Sequence, residues 1–310
     1  MNTSEIQVQY LGDITHQTEE ATVHMVEQCA RNCYRSETGS GDPVKFLTGL
    51  RKSGHLSLFE QSQLVIKLDD VDRHPMASHF LPIILANGKY RFFDFDLMAK
   101  GYIGGNLRCW IESYDQLRLS DSPIVHKILG NIKRAMPGFF SYWTDIEPAD
   151  GLLVDYADVP DRLRKHAAYV EAGRDVLGEW TRHDMAYCVE SSRYCNYSKG
   201  VYNTEIDTAG LVYPGGMRCK DPADNELAEQ IWQEACKSSE KAYMQLTKIT
   251  KAEMARQVLN MSLLTRWYVS AIPFYWSNFF KLRDAKDAHP NIRYLANTLR
   301  TDMSLNGIDM

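Results

Sequence analysis

Apolar and polar residues follow two alternating periods along the chain, and the places where the period changes predict its elements. IQVQYLG (6–12) alternates residue by residue and predicts a half-buried strand. Over 17–34 the spacing lengthens, with Val23, Val26, Ala30 and Cys33 falling on one helical face. ETGSGDP (37–43) is a turn cluster, and VKFLTGLRKSG predicts a second helix that Gly54 is placed to end. QLVIKL (63–68) alternates again and sets Leu64, Ile66 and Leu68 on one face. Farther on, Asn87-Gly88 between two β-prone runs predicts a hairpin, with Pro82 pushing the first run toward an edge. GYIGGNLRCWIESY predicts a glycine turn opening a helix at Asn106, and helical pieces follow around 123–136 and 160–166. The polar stretch 69–165 is expected to be an insertion packed on the main domain rather than a domain of its own.

Beyond residue 166 the pattern sharpens. AAYVEA predicts a strand, RDVLGEWTRH a helix, and NTEIDTAGLVYPGG an extended run ended by Pro214-Gly215. DPADNELAEQIWQEACKSSEKAYMQL predicts a helix capped by Asp221 with Pro222 in its first turn. Leu227, Ile231, Ala235, Ala242 and Leu246 are expected on its buried face. KAEMARQVLNMS and PFYWSNFFKLRDA predict two more helical stretches, with NIRYLANTLRTDM behind them. Together these give an α/β or α+β chain, a sheet flanked by helices with helix predominating.

Composition narrows the function by exclusion. A net charge of −5 lacks the broad basic field that sequence-independent nucleic-acid binding needs. No apolar run reaches the roughly 18–20 residues that cross a bilayer, and the first residues do not read as a secretory signal. Seven irregularly spaced cysteines, with no CxxC pair, point away from zinc ribbons and toward reduced thiols in the cytoplasm, so no metal is expected.

Three stretches concentrate chemistry. In GHLSLFEQSQLVI (54–66), His55, Ser57 and Glu60 precede a strand; they read either as loop polarity or as a site in which His55 and Ser57 face a ligand at the strand mouth while Glu60 orients a neighbour. TRHDMAYCVESSRYCNYS (181–198) crowds arginines and hydroxyls in a way that suits an anion such as a phosphate. If RDVLGEWTRHDM is helical, Glu179, Arg182 and Met185 share a face and Glu179 neighbours His183 at i, i+4; a simple surface ion pair is the competing reading. In 255–284, Arg256, Arg266 and Arg283 sit in apolar, helix-like sequence. Arginines there are paired, with Glu253 or Asp284 at hand, or grip an anion. WYV and FYW read as core rather than a stacking platform. Cys188 and Cys195 read as small buried residues, since no base is identifiable beside either.

In order, these stretches resemble the flavin-dependent thymidylate synthases, the ThyX family. His55-Leu56-Ser57-Leu58-Phe59-Glu60 matches the family's His-x-Ser-x-x-Glu. Arg182-His183-Asp184 followed by Ser191-Ser192-Arg193-Tyr194 resembles its Arg-His-Arg and Ser-x-Arg-Tyr. Ala255-Arg256, Leu259-Asn260, Thr265 and Phe279-Phe280-Lys281-Leu282-Arg283 are similar to its C-terminal pattern, and ARNCYRS (30–36) to its N-terminal one. The late Ala288-His289-Pro290 is similar to a longer branch of the family. The resemblance covers 6–68 and 166–300.

It implies a ThyX-like fold, a single domain over 1–310 with 69–165 inserted, and a cytoplasmic homotetramer with active sites shared between chains. Flavin adenine dinucleotide (FAD) would pass hydride from NADPH, methylenetetrahydrofolate would give the one-carbon unit, and dUMP would be methylated at C5 to dTMP, without a cysteine nucleophile. By the same resemblance, Glu179, Arg182, Glu190, Ser191, Ser192, Arg193 and Arg256 would hold dUMP. His55, Ser57, Arg182, His183 and Asn278 would contact flavin, and Arg283 would stabilise negative charge at N3 of the uracil. Two departures fall on the flavin side: Asp184 replaces the motif's last arginine, and Ile272 aligns with a family asparagine. They keep open a pyrimidine nucleotide 5-hydroxymethylase acting on dUMP or dCMP. A third reading is a nucleotide-binding protein without catalysis.

Overall fold

The computed structural model describes residues 2–15, 18–36, 41–69, 100–199, 206–209 and 219–310. The hairpin expected at Asn87-Gly88 with its edge Pro82, most of the 37–43 turn and Pro214-Gly215 lie outside the described residues.

Strand β1 (Asn2–Ser4) leads into β2 (Gln7–Asp13), the alternating stretch foreseen. Thr18 caps helix α1 (Glu19–Tyr34) by accepting from the Ala21 amide at 3.2 Å. Helix α2 (Pro43–Lys52) follows, and Gly54, at a φ of 81° that favours glycine, turns the chain into a 3₁₀ segment, Leu56–Glu60. Strand β3 (Leu64–Lys67) pairs antiparallel with β4 (Tyr102–Gly105). The glycines of 101–105, expected as a turn, are therefore mostly strand. Val65 is buried together with Leu64 and Ile66, because Val154, Val159 and Leu163 cover the second face of β3.

Asn106 does open helix α3 (Leu107–Leu117), accepting from the Cys109 amide at 2.9 Å. Helix α4 (Pro123–Ala135) matches the expectation for 123–136. The helix expected over 160–166 is only a 3₁₀ turn, Asp161–Leu163, because β5 (His166–Gly173) begins at 166. Helix α5 (Arg174–Trp180) stops at Trp180 and β6 (Ala186–Val189) follows. Next come β7 (Asp207–Ala209), α6 (Asn225–Leu246), the single turn α7 (Ala252–Ala255), β8 (Leu264–Ala271), α8 (Pro273–Arg283) and α9 (Pro290–Leu305). Asp221 caps a 3₁₀ turn before α6 rather than α6 itself. The buried side of α6 carries Cys236 and Tyr243, whereas Leu227 and Ile231 are exposed.

Among the described residues the main sheet has four antiparallel strands in the order β2-β5-β8-β6. The two-residue period of its strands sends side chains to opposite faces. Ala168, Val170, Ala172, Trp267, Val269 and Ala271 pack on α5, α8 and α9 in one apolar cluster. Ala167 and Cys188 belong to a second cluster, with α1, α2, α3 and α4. The sheet is thus covered by helices on both faces, and its antiparallel pairing selects α+β from the two classes left open. The WYV and FYW runs supply core, with Trp267 and Trp276 fully buried.

The second cluster also draws on both sides of the 70–99 stretch: Val26, Phe59 and Ile66 pack with Trp110, Phe140 and Trp143. Among the described residues, no helix is long and apolar enough to cross a membrane. No two cysteines are joined by a disulfide.

Candidate functional site

The positive φ of Gly54 releases His55 at the end of α2 toward the last turn of α1. There the Tyr34 hydroxyl hydrogen-bonds Nδ1 of His55, and the two rings stack with centroids 5.8 Å apart. With the tyrosine donating, the imidazole carries its proton on Nε2. Burial raises the Tyr34 pKa, with smaller contributions from Tyr194 and Cys33. The Tyr194 ring, half exposed, lies 5.1 Å from Tyr34 and 6.1 Å from His55. These rings, with Ser57, Arg108, Tyr187, Cys188 and Ser191, line a cavity of about 490 Å³, within the range of small-molecule sites. His55 and Ser57 of the first motif and Ser191 of the second therefore meet, although more than a hundred residues separate them.

Glu60 is buried and pairs with Arg108, a neighbour that lines the cavity, in keeping with the orienting role expected of it. Arg108 of α3 donates to Glu60 and, through Nε, to Glu112 at 2.8 Å. The Lys165 ammonium, fully buried, donates to the Glu60 carbonyl. Loss of hydration pushes the lysine's pKa down, and the Glu60 charge offsets part of that.

A second cavity, about 550 Å³, opens where the turn after α5 meets α8. Arg182, His183 and Asp184 form one wall. Phe274, Ser277, Asn278 and Lys281 form the other, at the three- and four-residue spacing of one helical face. Because α5 ends at Trp180, His183 is not on a helix with Glu179, and the two do not form the i, i+4 pair. They converge on Arg283 instead: its Nε donates to His183 Nε2 at 2.9 Å, Nη1 to Glu179 Oε2 at 2.8 Å and Nη2 to the Glu179 carbonyl at 2.9 Å. Met185, expected on the same face, is core. Among the described residues, Arg182, Asp184 and Lys281 make no ion pair, so Asp184 is not neutralised by Arg182. Ile272 sits at the N-cap of α8, buried and without a side-chain cap, where a polar residue would bond the first helical amides.

The Arg283–His183 contact fixes a proton. Accepting from Arg283 requires Nε2 to be bare, so His183 is neutral with its hydrogen on Nδ1. Burial and the adjacent guanidinium push its pKa down to about 4. The unfolded chain, at the ordinary histidine value near 6.5, therefore binds the extra proton first. The contribution of His183 to stability is complete above about pH 6.5 and is lost as pH falls toward 4. Urea unfolding of the wild type and of His183→Asn at pH 7.5 and 5.0 is expected to show the gap between them narrowing at the lower pH. An unchanged gap would contradict this tautomer.

The remaining predicted residues form a third group. Arg266, expected in a helix, is on β8, and its partners are neither Glu253 nor Asp284. It reaches Glu171 at 3.2 Å, directly across the β5–β8 register, and Glu190 at 3.3 Å. Glu190 has no exposed side-chain surface and also accepts from the Tyr197 hydroxyl at 3.4 Å. Above it, Arg256 reaches Ser192 at 3.5 Å, and Arg193 pairs with Glu253 at 3.4 Å. Asp284 pairs with Arg300 at 3.2 Å.

The residues expected to hold nucleotide are thus distributed over all three places, and the flavin set over the two cavities, which share no lining residue. Sequence reasoning missed Arg108 as a cavity residue. Its one local signal is Glu112 four residues on, which marks a paired arginine but not a cavity.

Residues 166–304 match the family described as thymidylate synthase complementing protein. No curated protein matches the chain. Among solved structures it is similar to a UMP/dUMP methylase, PolB, from Streptomyces cacaoi. The form bound with 5-Br dUMP aligns at 20% identity and a TM-score of 0.38 over 48% of this chain and 70% of that one. The form bound with 5-Br UMP aligns at 12% identity and 0.43, over 98% and 92%.

Proposed function

We propose, from the match of residues 166–304 to the thymidylate synthase complementing protein family, that this protein is a flavin-dependent thymidylate synthase. It methylates dUMP at C5, with methylenetetrahydrofolate as one-carbon donor and NADPH as reductant. The observation that carries the reading is the first cavity, where His55 and Ser57 of one motif and Ser191 of another share a wall beside three aromatic rings.

FAD would supply the hydride. The residues present suit such a group in part: the exposed faces of the Tyr34–His55–Tyr194 cluster fit a planar ring, and Arg182, Asn278 and Lys281 offer donors at the second cavity. Asp184 opposes a phosphate there. Ser192, Arg193 and Arg256 supply the donors that a nucleotide phosphate needs. Neutral His183 offers its Nδ1 hydrogen. Arg283 is clamped by Glu179 and His183, so its two Nη atoms keep one hydrogen each for an acceptor that develops charge. The division of the expected residues between separate cavities fits a homotetramer in which neighbouring chains complete each site. A cytoplasmic location follows from the same reading.

A second reading rests on Asp184 and Ile272, both on the expected flavin side. In a pyrimidine nucleotide 5-hydroxymethylase, water rather than a flavin hydride would quench the methylene adduct. The test is to purify the protein, record its visible spectrum, and incubate it with dUMP, methylenetetrahydrofolate and NADPH. A yellow protein that yields dTMP and consumes NADPH is the expected result. A hydroxymethyl product without NADPH consumption would replace the first reading by the second. Tight dUMP binding with no turnover would reduce the protein to a nucleotide binder.

A further inference from the structure

We infer that Arg108 is a ligand-binding residue of the first cavity, through which the segment outside the family match grips a phosphoryl oxyanion on a ring-bearing ligand. Arg108 stands on α3, between the 70–99 stretch and residue 166, and none of the motifs reaches it. Arg108 nonetheless lines the cavity with His55, Ser57, Ser191, Tyr34 and Tyr194.

The two carboxylates around it work as a mount. Nε is spent on Glu112 and Nη1 on Glu60, whereas Nη2 makes no bond among the described residues. A guanidinium is planar, so fixing two of its nitrogens fixes the direction of the third. The mount is itself rigid. Glu60 is buried on the 3₁₀ segment that also carries Ser57, and Lys165 donates to its carbonyl from behind. Arg108 keeps about one fifth of its side-chain surface exposed, as does Glu112, against almost none for Glu60. The charge of Arg108 is offset by those of Glu60 and Glu112, which makes the pull a directed, charge-assisted hydrogen bond rather than a general positive field.

The aromatic cluster gives the ligand its other property. Tyr34, His55 and Tyr194 present ring surface at one end of the cavity, and Arg108 presents a donor within the same cavity. A planar heterocycle bearing a phosphate satisfies both. This inference rests on the proposed function for the identity of its probes, which are dUMP and flavin mononucleotide.

The experiment measures four affinities by titration calorimetry at one ionic strength: dUMP against deoxyuridine, and flavin mononucleotide against riboflavin. It compares the wild type, Arg108→Ala and the double variant Arg108→Ala/Glu60→Gln. The double variant removes the carboxylate that the single one leaves buried without its partner, so a folding defect in the single variant does not end the test. Loss of Arg108 is expected to weaken one phosphorylated probe on the order of ten-fold or more while its neutral counterpart is unchanged. The affected pair then tells whether the oxyanion belongs to the nucleotide or to the flavin. Equal weakening within both pairs, or no weakening in either, would reduce Arg108 to a scaffold residue and overturn the inference alone. A wild type that binds none of the four probes would overturn the proposed function and this inference with it.

Discussion

Replacing Arg283 with alanine is expected to cut turnover of dUMP on the order of 10²–10³-fold, while leaving dUMP affinity largely intact. A preorganised cation contributes most where charge develops, so its removal raises the barrier more than it weakens the ground state. The geometry adds a second consequence. Arg283 contacts both Glu179 and His183, and its guanidinium helps hold the His183 pKa down to about 4. Its loss leaves His183 free to protonate at a higher pH and should shift the acid limb of the rate profile upward. Arg283→Lys keeps a charge but not the fork, and is expected to recover the pH profile better than the rate. Equal losses in dUMP affinity and turnover would show that Arg283 serves binding or packing alone.

The second large effect concerns stability. Trp143 is fully buried, stacked on Phe140 with centroids 4.0 Å apart and on Tyr114 at 4.5 Å. Trp143→Ala should cost about 3–5 kcal/mol, the usual range for emptying an aromatic site in a close-packed core. We propose that 1–310 is one domain, since Trp143 shares its apolar cluster with Val26 and Phe59. Fluorescence and circular dichroism should then report one shared transition in urea, moved to a lower midpoint by the substitution. Two separate transitions in the wild type, with only one displaced, would make 69–165 a separate unit.

The reading of particular residues shows where sequence suffices. Thr18 before α1 and Asn106 before α3 bond amides within three residues, so these helix starts were legible. Alternation in 6–12 marked β2, since a half-buried strand writes its two faces into every second position. Reading failed where a partner distant in sequence decided. LLTRWYVSA looks like more helix beside its helical neighbours, but β8 is central in its sheet and buried on both faces, which erases alternation. Val65 is buried for the same reason.

The candidate site divides along the same line. Motif order and residue type in the sequence determined which groups were worth attention: His55, Ser57, the 181–193 stretch, Arg256 and Arg283. The tertiary structure alone decided how they are grouped. Gly54 and the end of α5 at Trp180 set the directions of His55 and His183, and only packing brings Ser191 to one cavity and Arg283 to the other side of His183. Arg108 is the clearest case. Its neighbours in sequence announce an ordinary paired arginine, and its place in a cavity arises because α3 packs against the 3₁₀ segment that carries Ser57 and Glu60. Local hydrogen bonds and periodicity act over a few residues and are written there. Convergence of groups fifty to a hundred residues apart depends on which apolar faces bury each other, and that is settled by the whole chain at once.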